Sequence, residues 1–316
     1  MVAPAFRMVT LGDSIMWGQG LRESEKFSTQ VQQWLETTVG RSVQLDVFAH
    51  SRAVIAPDEA HDRQPPKPGE VPDRHPSITA QAACVPHPED VDLVMIDGGI
   101  NDMGAQHIVN PLHVTDLNWI RERAFWGCGK MEDLLARAVL PRFTKACVVV
   151  TGYYPLISGA SDPLRLADLI ARLCPEVVGA VSTAIGALLA PLAAQSRAWA
   201  DASDEALHQA VEAANRKFHE STPQIPPSAP RARAVLARIP FGPEHCYAAP
   251  ATGLWLLGEE DSVAEQRRGQ CRQFAPLDPL CPFEPAFHPN RHGAEVYAKA
   301  VTTQLEALIP GWRGSS

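Results

Sequence analysis

Three apolar runs of this sequence break off into residues that can do chemistry. Met8 to Leu11 leads into Gly12-Asp13-Ser14, Val43 to Phe48 into Ala49-His50-Ser51-Arg52, and Val91 to Asp97 into Gly98-Gly99-Ile100-Asn101-Asp102. A fourth stretch, Phe287-His288-Pro289-Asn290, opens a helical pattern near the C-terminus. Together they offer a hydroxyl, an imidazole and a carboxamide. Acyl transfer needs that set: a nucleophile, a base to take its proton, and donors aimed at the developing oxyanion. A serine hydroxyl is too weak a nucleophile at neutral pH without the base.

These groups can meet only if the elements before them end on one edge. Met8–Leu11, Val43–Phe48, Val91–Asp97, Ala146–Thr151 and Ala232–Ile239 read as buried strands. Between them lie helical patterns: Phe27, Val31, Trp34, Leu35 and Val39, with Ser28 as the expected cap and Gly40 as the stop. A nearly continuous helical stretch runs from Pro163 to Phe218, with breaks expected near Pro175 and Pro191, and a closing amphipathic helix starts from Gly293. Alternating strands and helices favour a parallel sheet with helices on both faces, which gathers the strand ends along one edge. With no internal repeat and no convincing linker, residues 1–316 read as one domain with irregular insertions at about 57–88, 103–130 and 241–287. The aromatic part of the second insertion, Trp119 to Trp126, is either an ordinary packed insertion or a wall or lid over the cleft. As a wall it would hint at an apolar acyl or alcohol group in the ligand.

Composition narrows the classes. A 45% hydrophobic, 20% charged chain is ordinary for a globular protein, and a formal charge of -8 argues against non-specific nucleic-acid binding. No apolar run is long enough to span a bilayer, and the N-terminus lacks a basic start and an apolar signal core. The chain therefore reads as cytoplasmic, although a secreted chain trimmed of its signal would read the same. Seven cysteines show no C-x-x-C or zinc-ribbon spacing. Cys147 is expected as a buried free thiol, while Cys246, Cys271 and Cys281 flank an irregular region and could pair in an oxidising compartment.

Gly12-Asp13-Ser14, the turn around Arg52, Gly99-x-Asn101-Asp102 and His288-Pro289-Asn290 resemble the four blocks of the SGNH hydrolases, also called GDSL esterases and lipases. They occur in the family's order and span nearly the whole chain. Each motif is weak alone; four in sequence at element ends are specific. The resemblance implies a three-layer α/β/α sandwich with a central, mostly parallel sheet of flavodoxin-like type. It also implies hydrolysis of ester or related acyl bonds in a small-molecule substrate, with no cofactor. It makes Ser14 the nucleophile and His288 the general base. Asn101 donates its amide to the oxyanion, joined by backbone N–H groups from Ser14 and the second block, so that Ser14, Arg52, Gly99 and Asn101 form the oxyanion and substrate-binding set. Asp13 and Asp102 are expected to anchor the turns by hydrogen bonding.

Two positions depart from the family pattern. Arg52 stands where the second block normally carries glycine. Its N–H survives, but glycine permits a backbone that arginine resists. The cation either pairs with an acidic substrate group or turns outward to solvent. Pro285 stands three residues before the histidine, where many members carry aspartate, and Glu284 lies one step off. Either Glu284 or a backbone carbonyl would then orient His288, and a carbonyl stabilises imidazolium less than a carboxylate does. An acyltransferase would look the same in sequence, and a ligand-binding member impaired by Arg52 is the reading from a different class. His288 and His292 are four apart, but Pro289 and Asn290 make the segment a helix start, so no metal is expected. Gly18-Gln19-Gly20 lacks the third glycine and the lysine of nucleotide loops. His61, His75 and His87 fall in the proline-rich insertion and read as solvated.

Overall fold

Among the described residues, five short strands take up the apolar runs: β1 Phe6–Leu11, β2 Val43–Val47, β3 Leu93–Ile96, β4 Cys147–Thr151 and β5 Arg233–Ala237. The computed structural model describes residues 5–56, 62–114, 116–173, 178–221, 233–258, 262–274 and 286–307. All pairings are parallel, in the order β2-β1-β3-β4-β5. Every residue of β3 and β4 is buried, because helices cover both faces and leave no side for a polar alternation. Burying each such Val, Leu or Ile contributes roughly 1.5–3 kcal/mol.

One face carries the helices Phe27–Val39 and Arg291–Glu306, which pack on each other. The other carries Ile78–Cys84, the turns Met131–Val139 and the long helix Val178–Ser221. Outside that layer lie Leu117–Cys128 and Pro163–Leu173, both packed on the long helix. The architecture is the three-layer α/β/α arrangement expected.

Local details differ from the sequence reading. Ser28 is not the cap of Phe27–Val39; Lys26 holds that position in extended backbone, and Ser28 is buried inside the first turn. Lys26 is fixed by tertiary contacts instead: its ammonium lies 2.9 Å from Glu23 and 4.1 Å from the centre of the Trp17 ring. Gly40 does stop the helix, in the left-handed conformation at φ 69°. Pro191 does not break the long helix. It forfeits one backbone hydrogen bond, while the buried Leu192, Gln195, Ser196 and Trp199 hold the next two turns against the protein. Pro175 lies outside the described residues.

The stretch 103–130 is not irregular throughout. Asp116 caps Leu117–Cys128 by accepting the Trp119 N–H at 2.9 Å, and Ile120, Ala124 and Cys128, four apart, form its buried face. That short stripe is masked in sequence by exposed Phe125 and Trp126. In 57–88 the segment Pro76 to Gln81, which reads as the start of a short helix, does form Ile78–Cys84, and 241–287 contains Ser262–Phe274. Cys147 is a free buried thiol, its pKa pushed up to about 12 by burial. Cys246 is also free, whereas Cys271 is disulfide-bonded; Cys281 lies outside the described residues.

Candidate active site

After β1 the sheet continues outward to β2 on one side and to β3 on the other, so the strand order reverses at β1. Ligand crevices of open α/β sheets lie at that switch point, beyond the carboxyl ends of the strands. Ser14 follows β1, Arg52 follows β2 and Asn101 follows β3. All three, with His288, line one cavity of about 260 Å³.

Ser14 begins a single helical turn, Ser14–Trp17, capped by Asp13, whose Oδ1 accepts the Ile15 N–H at 2.9 Å. Its hydroxyl lies 2.8 Å from His288 Nε2, and the residue is only 7% exposed. Gly12 at φ 152° is required by crowding, since a Cβ there would overlap the Asp97 carboxylate. Asp97 Oδ1 accepts the Asp13 N–H at 2.7 Å, and Tyr153 donates its hydroxyl to Asp13 Oδ2 at 3.0 Å. Tyr153 in turn accepts the Ile100 N–H at 3.4 Å, which ties the turn after β1 to the turn after β3. Burial pushes the Asp13 carboxyl up to about 6. It raises Asp97 well above the usual carboxylate range, where the nearby Asp13 charge adds to the effect.

The turn after β2 is built between two loops. Arg52 adopts φ 65°, the left-handed backbone that glycine would favour. The Ser51 N–H donates to Gly69 O at 2.8 Å and the Asp73 N–H to Ser51 O at 3.0 Å, so residues 69–73 brace the turn from outside. From inside, Asn101 Nδ2 donates to Ala53 O at 3.1 Å, which orients the carboxamide and leaves its second N–H for another acceptor. Asp102 accepts the Ile55 N–H at 3.0 Å and holds Lys130 at 2.9 Å, locking the turn after β3 to the same loop. Gly99, at φ 122°, precedes Ile100–Met103; a Cβ there would meet the Cys128 backbone. Gly99 itself does not line the cavity, whereas Ile100 does.

The imidazole arrives from the far end of the chain. The Trp255 N–H donates to His288 O at 2.9 Å, and the Phe287 N–H to Trp255 O at 3.2 Å. The Asn290 N–H reaches Gly253 O at 2.9 Å, and Tyr154 donates its hydroxyl to Phe287 O at 2.8 Å. This short ladder holds His288 just before the C-terminal helix, which Asn290 caps by accepting the Gly293 N–H. Glu284 and Pro285 lie outside the described residues. His292 points elsewhere, its ring 5.4 Å from that of His245. Among the described residues, the metal-type cluster His87, Glu89 and Asp90 is exposed and does not line the cavity.

Several contributors escaped the sequence reading. The wall of the cavity comes from Gly104, Ala105, Gln106 and Val109 rather than from Trp119, Phe125 or Trp126. Trp119 is instead stacked on His113 at 4.3 Å, and Trp126 is 52% exposed under the Lys130 ammonium. Gln195 of the long helix pins that wall by donating to the carbonyls of His107, Ile108 and Asn110. His75 is buried, not solvated, with Nδ1 2.7 Å from Asp73; His61 lies outside the described residues. Asp97 and Tyr153 left a usable signal, since each is a polar residue just past a buried strand. Arg74, which also lines the cavity, and Gln195 left none.

No protein-family model matches the sequence, and no curated protein matches it in sequence. Solved structures do match in fold. Phospholipase A1 from Streptomyces albidoflavus is 14% identical, with 95% of this chain and 99% of that one covered at a TM-score of 0.50. The lipase Lip_vut3 from a goat rumen metagenome is 15% identical over 95% and 97%, at 0.48. An extracellular lipase from Streptomyces rimosus is 14% identical over 95% and 99%, at 0.45. At 14% identity the likeness to the phospholipase A1 is one of fold: an α/β arrangement with a parallel sheet between helical layers.

Proposed function

We propose that the protein is a serine hydrolase of carboxylic esters. The observation that carries this reading is the 2.8 Å contact between Ser14 Oγ and His288 Nε2 inside a cavity that Asn101 also lines. At that distance the imidazole takes the hydroxyl proton as Oγ bonds to the ester carbonyl carbon. The carbonyl oxygen becomes an oxyanion, held by the second N–H of Asn101 and the backbone N–H groups of Ser14 and Arg52. As the tetrahedral intermediate collapses, the C–O bond to the alcohol breaks and His288 passes its proton to the leaving oxygen. Water, deprotonated by His288, then attacks the acyl-serine and frees the acid and Ser14.

Arg52 does not weaken this reading. Its left-handed backbone takes the turn that glycine would take, and the braces from Gly69 and Asp73 hold it there. The apolar lining, including Ile15, Val109, Leu156 and Phe287, suits the hydrocarbon part of an ester. Hydrolysis of para-nitrophenyl butyrate tests the reading. Ser14→Ala and His288→Ala should reduce kcat to near background, and Asn101→Ala should lower it about a hundredfold or more. Equal turnover by wild type and Ser14→Ala would remove the hydrolase reading. Added alcohol that diverts the acyl group to a new ester would mark an acyltransferase instead.

A further inference from the structure

The chain is acidic overall, with 36 Asp and Glu against 28 Lys and Arg. The cavity departs from that average. Two arginines, Arg52 and Arg74, line it together with His288, and among the described residues no Asp or Glu does. Arg52 is half-buried in the wall and Arg74 is exposed at the rim. They are carried by one hydrogen-bonded pair of loops, because the Asp73 N–H donates to Ser51 O. The carboxylate next to Arg74 is taken by other groups: Asp73 pairs with Lys67 at 2.7 Å and lies 2.7 Å from His75 Nδ1. A guanidinium offers five N–H donors in a fixed fork, so a partner within the chain still leaves donors for a second group.

We propose that Arg52 and Arg74 form an anion subsite, so that the ester taken by this cavity carries a carboxylate or phosphate group beyond its scissile carbonyl. The inference rests on the hydrolase reading above for its consequence, though not for the binding itself. Planar, charge-assisted hydrogen bonds from two guanidiniums to such a group are shorter and stronger than neutral ones, and the sheltered wall position of Arg52 limits their screening. The two arginines are thus specificity-determining residues that orient the ester from its charged end.

Selectivity is the readout: the ratio of kcat/KM for an anionic ester to that for its neutral counterpart. Mono(para-nitrophenyl) succinate against para-nitrophenyl butyrate places the anion on the acyl side. Soluble dibutyroyl phosphatidate against dibutyrin places it on the alcohol side. Wild type should prefer the anionic member of one pair, and the preferred pair identifies the source of the anion. Arg52→Gln and Arg74→Gln should each lower that ratio about tenfold, mainly through KM. Arg52→Lys should restore part of it. High salt should shrink the preference in the wild type itself, a measurement that needs no variant to fold. A ratio near one in both pairs, or one that the double variant leaves unmoved, overturns the subsite.

Turnover of neutral ester that Ser14→Ala abolishes, with no preference for charge, would sink this inference alone. If wild type cleaves none of the four esters, the hydrolase reading fails. Titration calorimetry of inorganic phosphate and of succinate into the wild-type protein then decides the subsite. Binding that the double variant loses sustains it, and absence of binding overturns it.

Discussion

Arg52 shows how one residue can meet a backbone demand and add a chemical one. A left-handed conformation costs a residue with a Cβ roughly 1–2 kcal/mol, and Arg52 adopts it at φ 65°. Arg52→Gly relieves that strain but enlarges the freedom of the unfolded chain, so stability should change by less than about 1 kcal/mol. Arg52→Val puts a β-branched side chain in the same conformation and should cost about 1–3 kcal/mol. Urea unfolding of the three proteins measures both. Sequence pointed to this position, since Ser51-Arg52 ends an apolar run. Whether the guanidinium faces the cavity or solvent depends on the loop around Asp73, which carries no pattern of its own.

At the scale of elements, glycines set how closely the turn after β3 approaches its neighbours. A Cβ on Gly127 would stand 2.6 Å from Gly99 O, so the helix Leu117–Cys128 rests directly on the turn that presents Asn101. Gly127→Val should therefore destabilise the fold by about 1–3 kcal/mol through overpacking. It should also lower kcat for a neutral ester, because the carboxamide moves with the turn. Thermal unfolding and steady-state kinetics on the same variant test the two parts; a loss of stability with unchanged kcat would mean that the turn does not depend on this helix. The strands were legible as apolar runs, and so were Phe27–Val39 and the C-terminal helix as spaced apolar residues. Leu117–Cys128 was not, because two exposed aromatics interrupt a stripe only three residues long.

For the whole molecule, the buried carboxyls make stability depend on pH. Burial raises Asp13 to about 6 and lifts Asp97 well above the usual range, while Asp204 is raised to about 6 for the same reason. A carboxyl whose pKa is higher in the folded state than in the unfolded state binds more protons when folded. Its stabilising contribution is therefore full below about 4 and is lost as pH rises towards the folded value. The unfolding free energy should fall between about pH 4 and pH 6 for Asp13 and Asp204, and the titration of Asp97 adds to the fall as pH rises. Asp97→Asn keeps a neutral, hydrogen-bonding group beside Asp13 and removes one of the buried carboxyls that titrate. It should flatten that slope. Denaturant midpoints across pH, wild type against variant, check this; identical slopes would show that the Asp13–Asp97 pair does not govern it.

The sequence by itself determined the strands, the first and last long helices and what lies at their ends: buried parallel strands, a serine after the first, an asparagine after the third and a histidine before the last helix. Period and strand-end chemistry are local properties, so they are written in neighbouring residues. Only the tertiary structure decided which distant groups share a wall. The meeting of Ser14 with His288, the bracing of Arg52 by Asp73 and the placing of Arg74 at the rim depend on hydrogen bonds between loops far apart in the chain. The bonds that seat the turn around Arg52 and the segment before His288 join mainly backbone groups, which carry no sequence pattern, and so they leave no mark in the order of the side chains.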